Sequence, residues 1–172
     1  MKTAAVLMAS ILFVAVPGAW GQLVNGGFEE PETVAPNPYN DLAASWGRWG
    51  NWMNRETLWE PTHGGLSMIG YHHWKIAEPA LSGIYQDVTN VPPGSGCVFS
   101  VFVSKDPDTD AEFVELRFER LGGFSAIASR FYSMKELRSS WQRLSIEGTT
   151  DMAGIRVLIS VKPKESPGRS GA

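Results

Sequence analysis

Cysteine is nearly absent: Cys97 is the only one in 172 residues. No internal disulfide can form, and there is no Cys-x-x-Cys spacing for zinc or redox chemistry. Several other signatures are missing. There is no His-Glu-x-x-His helix, no Gly-x-Ser-x-Gly elbow, and no glycine loop that would cradle phosphate. "GSG" at 94–96 reads only as a turn. Basic runs are also lacking, and the chain carries a formal net charge of −3. A mildly acidic chain of this kind is a poor ligand for nucleic acid or an anionic membrane surface. Only one long apolar run exists, and it lies at the start. No later run reaches the roughly 18 residues of a membrane span.

That first run belongs to "MKTAAVLMASILFVAVPGAWGQ". Lys2 supplies a positive end, residues 4–16 an apolar stretch too short to cross a bilayer, and Pro17-Gly18 a break. Ala19-Trp20-Gly21 has the small-x-small pattern that signal peptidase accepts. The order predicts a signal peptide over 1–21, with cleavage before Gln22. The mature chain is then expected to be secreted, periplasmic or at the cell surface. Fifteen basic residues less Lys2, against 18 acidic ones, give that mature chain a net charge of about −4.

From residue 23 onward the punctuation is that of an all-β protein. "LVNGGF" at 23–28 has an Asn-Gly-Gly turn signal. The three prolines of 30–41 rule out a regular element there. Alternation at 81–91 puts Ile84 and Val88 on one face and Tyr85 and Asp87 on the other. Residues 97–106 are apolar on both faces until Ser104, as in a central strand. At 112–123, Val114, Leu116 and Phe118 face one way and Glu115, Arg117 and Glu119 the other. Residues 125–134, 141–148 and 154–163 read as further strands. Residues 133–141 would suit one or two helical turns. The tail at 163–172 has almost no apolar residue and is expected to be disordered. Six to nine strands with hardly any helix predict one antiparallel β-sandwich over 22–162.

"LVNGGFEEP", a Trp after a Pro-rich loop, "GGLSMIG", "SGIYQDVTNVPPG", "VFSVFVSKD" and "VELRFER" occur in that order. Together, over residues 23–162, they resemble the carbohydrate-binding-module jelly rolls of the galactose-binding-like superfamily, the kind attached to bacterial xylanases and glucanases. The resemblance implies a two-sheet sandwich that binds polysaccharide on a concave face or at its loop ends. It also implies a structural calcium, with Glu29 as one ligand. A second ligand would come from a terminal Asp-Asp-apolar strand. No such motif follows "IRVLISV", so the resemblance further implies a sheet short of its last strand.

Four tryptophans crowd residues 46–59. In an extended chain Trp46 and Trp52 share one face and Trp49 takes the other. Trp46 matches the family's core position. Trp49, Trp52 and Trp59 are the candidates for display, because an indole covers the C–H face of a pyranose and loses little entropy on binding. "MIGYHHWK" at 68–75 adds Tyr71 and Trp74 as candidates. The row Glu115, Arg117, Glu119 would supply a hydrogen-bonding floor centred on Arg117. His72 and His73 point to opposite faces of a strand and cannot readily share one ion.

These patterns predict a non-catalytic, polysaccharide-binding module. Its rival is a structural or assembly protein of the cell envelope with the same fold and no sugar binding. A weaker third reading is a glycosidase. Glu115 and Glu119, four residues apart on a strand, are about 13 Å apart at the backbone. Glycosidase pairs need about 5–9.5 Å, so a cross-strand partner such as Glu147 would be required.

Overall fold

The structure, a computed structural model, describes residues 6–10, 23–33, 41–50, 53–58, 61–72 and 80–164. These contain ten strands and no helix, so the chain is all-β. The first sheet has the order β3 (Met53–Glu56), β4 (Met68–Tyr71), β1 (Val6–Ser10), β6 (Gly96–Ser104), β9 (Gln142–Thr149). The second has the order β2 (Gly47–Trp49), β5 (Ser82–Val88), β10 (Ile155–Pro163), β7 (Ala111–Glu119), β8 (Ala126–Ser133). Every pairing is antiparallel. No helix among the described residues is long and apolar enough to cross a membrane.

Alternation explains why the sheets lie face to face. Cys97, Phe99, Val101 and Val103 of β6 point inward. So do Val114, Leu116 and Phe118 of β7, and Ile155, Val157, Ile159 and Val161 of β10. All belong to one buried cluster. Phe99 and Phe118, from different sheets, sit with centroids 6.3 Å apart and planes at 54°. Each large side chain buried in this way contributes about 1.5–3 kcal/mol. The result is a β-sandwich-like fold.

Polar side chains close the two open sides. Between β2 and β3, the Arg48 guanidinium donates to Met53 O and to Asn54 Oδ1, the latter at 2.6 Å. Between β8 and β9, the Tyr132 hydroxyl donates to Ser145 O and accepts from the Ser145 N–H at 3.0 Å. That bond occupies backbone groups of β9, an edge strand that would otherwise invite another chain. Gln86 points inward with Ile84 and Val88, and it is satisfied there. Its amide donates to Val24 O and Ser45 O and accepts from the Val24 N–H. This ties the entry loop to β5.

One expectation about the elements changes. Residues 133–141 form no helix. Ser133 and Glu136 make a single turn, with the Glu136 N–H on Ser133 O at 2.9 Å. Met134 and Leu137 are then buried in the core, and burying both holds the segment off a helical path. Strand β10, Ile155–Pro163, lies where residues 154–163 read as a strand. Beyond a register shift at Lys162/Pro163, Pro163 lies opposite Ala111. Residues 165–172 of the expected tail lie outside the described residues.

Part of the expected leader is strand β1. Val6 to Ser10 lie opposite Ser104 to Ser100 of β6, and Val6 and Leu7 lie opposite Gly70 and Ile69 of β4.

Tyr71 is not displayed. It is 1% exposed, and its hydroxyl donates to Asp110 Oδ1 at 3.0 Å. Burial, reinforced by the Asp110 charge, pushes its phenol far above the ordinary range, so it stays a neutral donor. Alternation paired the residues of β4 by face but did not say which face was inward. Tyr71→Phe should cost roughly 1.5–3 kcal/mol, the worth of a hydrogen bond to a charged acceptor, read by urea denaturation.

Candidate functional site

The outer face of the second sheet gathers the rings and charges. Strand β2 pairs with β5 so that Gly47 faces Tyr85 and Trp49 faces Gly83. Each glycine makes room for a ring. A Cβ at Gly83 would lie 2.1 Å from the Trp49 indole, and one at Gly47 would lie 2.3 Å from the Tyr85 ring. With no side chain in the way, Trp49 and Tyr85 lie over the backbone with centroids 6.3 Å apart and planes at 35°. Both are half-buried. The guanidinium of Arg156 covers Tyr85 at 4.1 Å from the ring centroid. It also donates to Asp87 at 2.7 and 2.9 Å.

Toward β7 the floor is Leu158, Ser160 and Glu115, all buried. Register puts Leu158 opposite both Tyr85 and Arg117, and Ser160 opposite Glu115. Arg117 binds Glu115 through Nε and Nη2, each at 2.8 Å, and Glu119 through Nη1 at 3.0 Å. Ser160 adds a hydroxyl bond to Glu115 at 3.1 Å. Burial alone would lower the Arg117 pKa, but bonding and charge from Glu115, then Glu119, raise it, so the cation is held. Arg156 is likewise raised, first by its bond to Asp87.

The carboxyl groups do not keep the backbone spacing expected of them. Both turn toward one guanidinium, which stands between them and uses three of its five N–H groups on them. At the β7–β8 tip, Gly122, Gly123 and Phe124 all have positive φ, of 91°, 80° and 71°. The Phe124 side chain is 99% exposed, and its N–H donates to Glu119 Oε2 at 3.3 Å. Phe131 is 57% exposed, edge-on to Phe113 at 5.1 Å.

Of the residues singled out from sequence, Trp49, Glu115 and Arg117 come to this one face. Trp46 is in the core, 5.2 Å from Phe28, with its Nε1–H on Asn25 O. Trp52, Trp59 and Trp74 lie outside the described residues, as does His73. Sequence reasoning missed Arg156 and the open ring of Phe124. It placed Tyr85 with Asp87 but did not connect them to Trp49. The available signal was the pair of glycines, Gly47 and Gly83, each two residues from an aromatic.

Glu29 sits elsewhere. Its carboxylate accepts from the Leu66 N–H at 3.1 Å and from the Ser67 N–H at 3.3 Å. Beside it, Arg55 donates to Phe28 O, Glu29 O and Ser67 Oγ at 2.6, 2.7 and 2.7 Å. A calcium ion needs six to eight oxygens facing it, whereas these oxygens face N–H donors. Among the described residues no group of three His, Cys, Asp or Glu could hold a metal ion. As placed, these residues do not fit calcium. The described histidines are apart in function as well. His63 stacks on Phe102 at 3.6 Å, and His72 Nε2 meets Glu56 Oε1 at 2.8 Å.

Comparison with known proteins adds no relative: no family model matches the chain, and no curated protein matches it.

Arg117→Met would leave Glu115 buried and unpaired by charge. The expected loss is about 3–5 kcal/mol, measured by equilibrium unfolding at neutral pH. Calcium at millimolar concentration, or a chelator, should leave the melting temperature unchanged; a rise with calcium would show that the Glu29 loop rearranges around an ion.

Proposed function

We propose that the chain is a secreted, non-catalytic polysaccharide-binding module, a jelly roll of the galactose-binding-like kind. The ligand face is the outer face of its second sheet. One observation carries this reading: the Trp49 indole lies half-open over Gly83, beside Tyr85 and its covering Arg156, on the same face as the Arg117 cluster. Flat rings cover the C–H faces of pyranoses, and the charged floor bonds their hydroxyls. A shallow face of this kind supports modest affinity, on the order of micromolar to millimolar. Glycosidic cleavage is disfavoured because the Arg117 guanidinium fills the space between Glu115 and Glu119 where a scissile bond would lie.

A structural or assembly role in the cell envelope is the second reading. It is favoured by the placement of β1, a strand drawn from the expected leader, inside the first sheet.

Retention on insoluble polysaccharides and on a glycan array should be seen for the wild type. Trp49→Ala should weaken it about fivefold, equivalent to the ~1 kcal/mol of one ring contact, with melting temperature as the control for folding. Trp52→Ala and Trp59→Ala in the same assay show whether those indoles join the platform. Failure of the wild type to bind any glycan would overturn the reading.

A further inference from the structure

We infer that Phe131, at the far edge of the second sheet from Trp49, is the second ring of the ligand face. A neutral glycan chain long enough to touch both rings lies across the strands, and the face thereby selects for chain length. This rests on the polysaccharide-binding reading and adds to it a residue, a direction and a minimum length.

Register places the two rings in one row. Trp49 lies opposite Gly83, Gly83 opposite Ser160, Ser160 opposite Glu115, and Glu115 opposite Phe131. Directly paired residues share a face, so the whole row belongs to the outer face. It runs from one edge of the sheet to the other, β2 to β8. Trp49 leans inward over Gly83, and Phe131 meets Phe113 of β7 edge-on. The rings are therefore three to four strand spacings apart, about 14–19 Å, a stretch that about three or four linked pyranoses cover. A disaccharide on Trp49 stops short of Phe131. Tyr85, nearer at hand, is covered by the Arg156 guanidinium. Phe131 keeps 57% of its surface open despite Phe113.

The floor between the rings fits such a ligand. Ser160 and Glu115 are buried, so the polar contact falls to Arg117, whose side chain is 28% exposed. Glu115 and Glu119 take three of its five N–H groups, which leaves two for ligand hydroxyls. Charge on the face balances. Arg117, Arg156 and Lys162 stand against Asp87, Glu115 and Glu119, all at outward register positions. A neutral chain loses nothing on such a face, whereas a chain of uronates finds no excess of cations to offset the desolvation of its carboxylates. Phe124 is the other open ring of this sheet, but its backbone lies beyond Glu119, which is itself about 13 Å along β7 from Glu115. A ligand running along the strands would use Phe124; one crossing them uses Phe131.

The test is calorimetric titration of the protein with linear neutral oligosaccharides of two to six units, in the glucose and xylose series, beside retention on insoluble polysaccharides. Wild-type affinity should rise steeply from disaccharide to tetrasaccharide and then level off. Phe131→Ala and Phe131→Leu should each lower tetrasaccharide affinity about fivefold, one ring contact, and disaccharide affinity less than twofold. Trp49→Ala should lower both. Phe131→Tyr, which keeps a flat ring, should keep the long-chain affinity, and melting temperatures control for folding. Three results overturn the inference while leaving the polysaccharide reading intact, provided the wild type is retained. The first is a Phe131→Leu variant that loses no affinity at any length. The second is a loss that is equal at every length. The third is a larger loss from Phe124→Ala than from Phe131→Ala. Failure of the wild type to be retained by any glycan removes both.

Discussion

The arrangement rests on one constraint: alternate side chains of β5, β10 and β7 are committed to a core shared with β6 and β9. With Ile84, Ile159, Leu116 and Phe118 inward, the intervening residues have no choice but the outer face. That is why Tyr85, Arg156, Ser160, Glu115, Arg117 and Glu119 lie together. Glu115, at 1% exposure, is nearly dry, and a carboxylate so placed needs a partner. The fork of Arg117 fits it through two parallel bonds, a match that a lysine ammonium does not make.

The same cluster constrains function. One guanidinium is shared by two carboxylates, so the cluster is ordered by hydrogen bonds and keeps about one net negative charge. The aromatic side is built differently. Missing side chains at Gly47 and Gly83 let rings settle on the backbone of a sheet, and Arg156 covers one of them. In the first sheet, Arg55 organises the entry loop by donating to the carbonyls of residues 28 and 29. A fixed guanidinium there does the positioning that a bound cation would do, and it belongs to the chain itself.

Much of the fold was legible in the chain because alternation is a local property. Strand β7 and its two faces could be read directly, as could the opposite facing of Trp46 and Trp49. Tyr71 could not, because alternation groups residues by face without saying which face is inward. Residues 133–141 misled for a related reason. Their Ser133 and Glu136 make a local turn, but the burial of Met134 and Leu137, set by the distant core, decides the path. The Glu115–Glu119 spacing failed for the carboxyl groups, which both bond Arg117, since a side chain can lean toward a neighbour that the spacing ignores.

What the chain alone determined is the all-β character, the approximate strand positions and the partition of each strand into two faces. These follow from backbone sterics and short-range pattern. Tertiary structure decided which strands became neighbours: β2 beside β5, β5 beside β10, and β1 between β4 and β6. Those pairings join segments many tens of residues apart, and their hydrogen bonds run between backbone groups that every residue carries. Nothing in the local sequence marks such a partner. The meeting of Trp49 with Tyr85, and of Val6–Ser10 with β4 and β6, therefore appears only once the chain is folded.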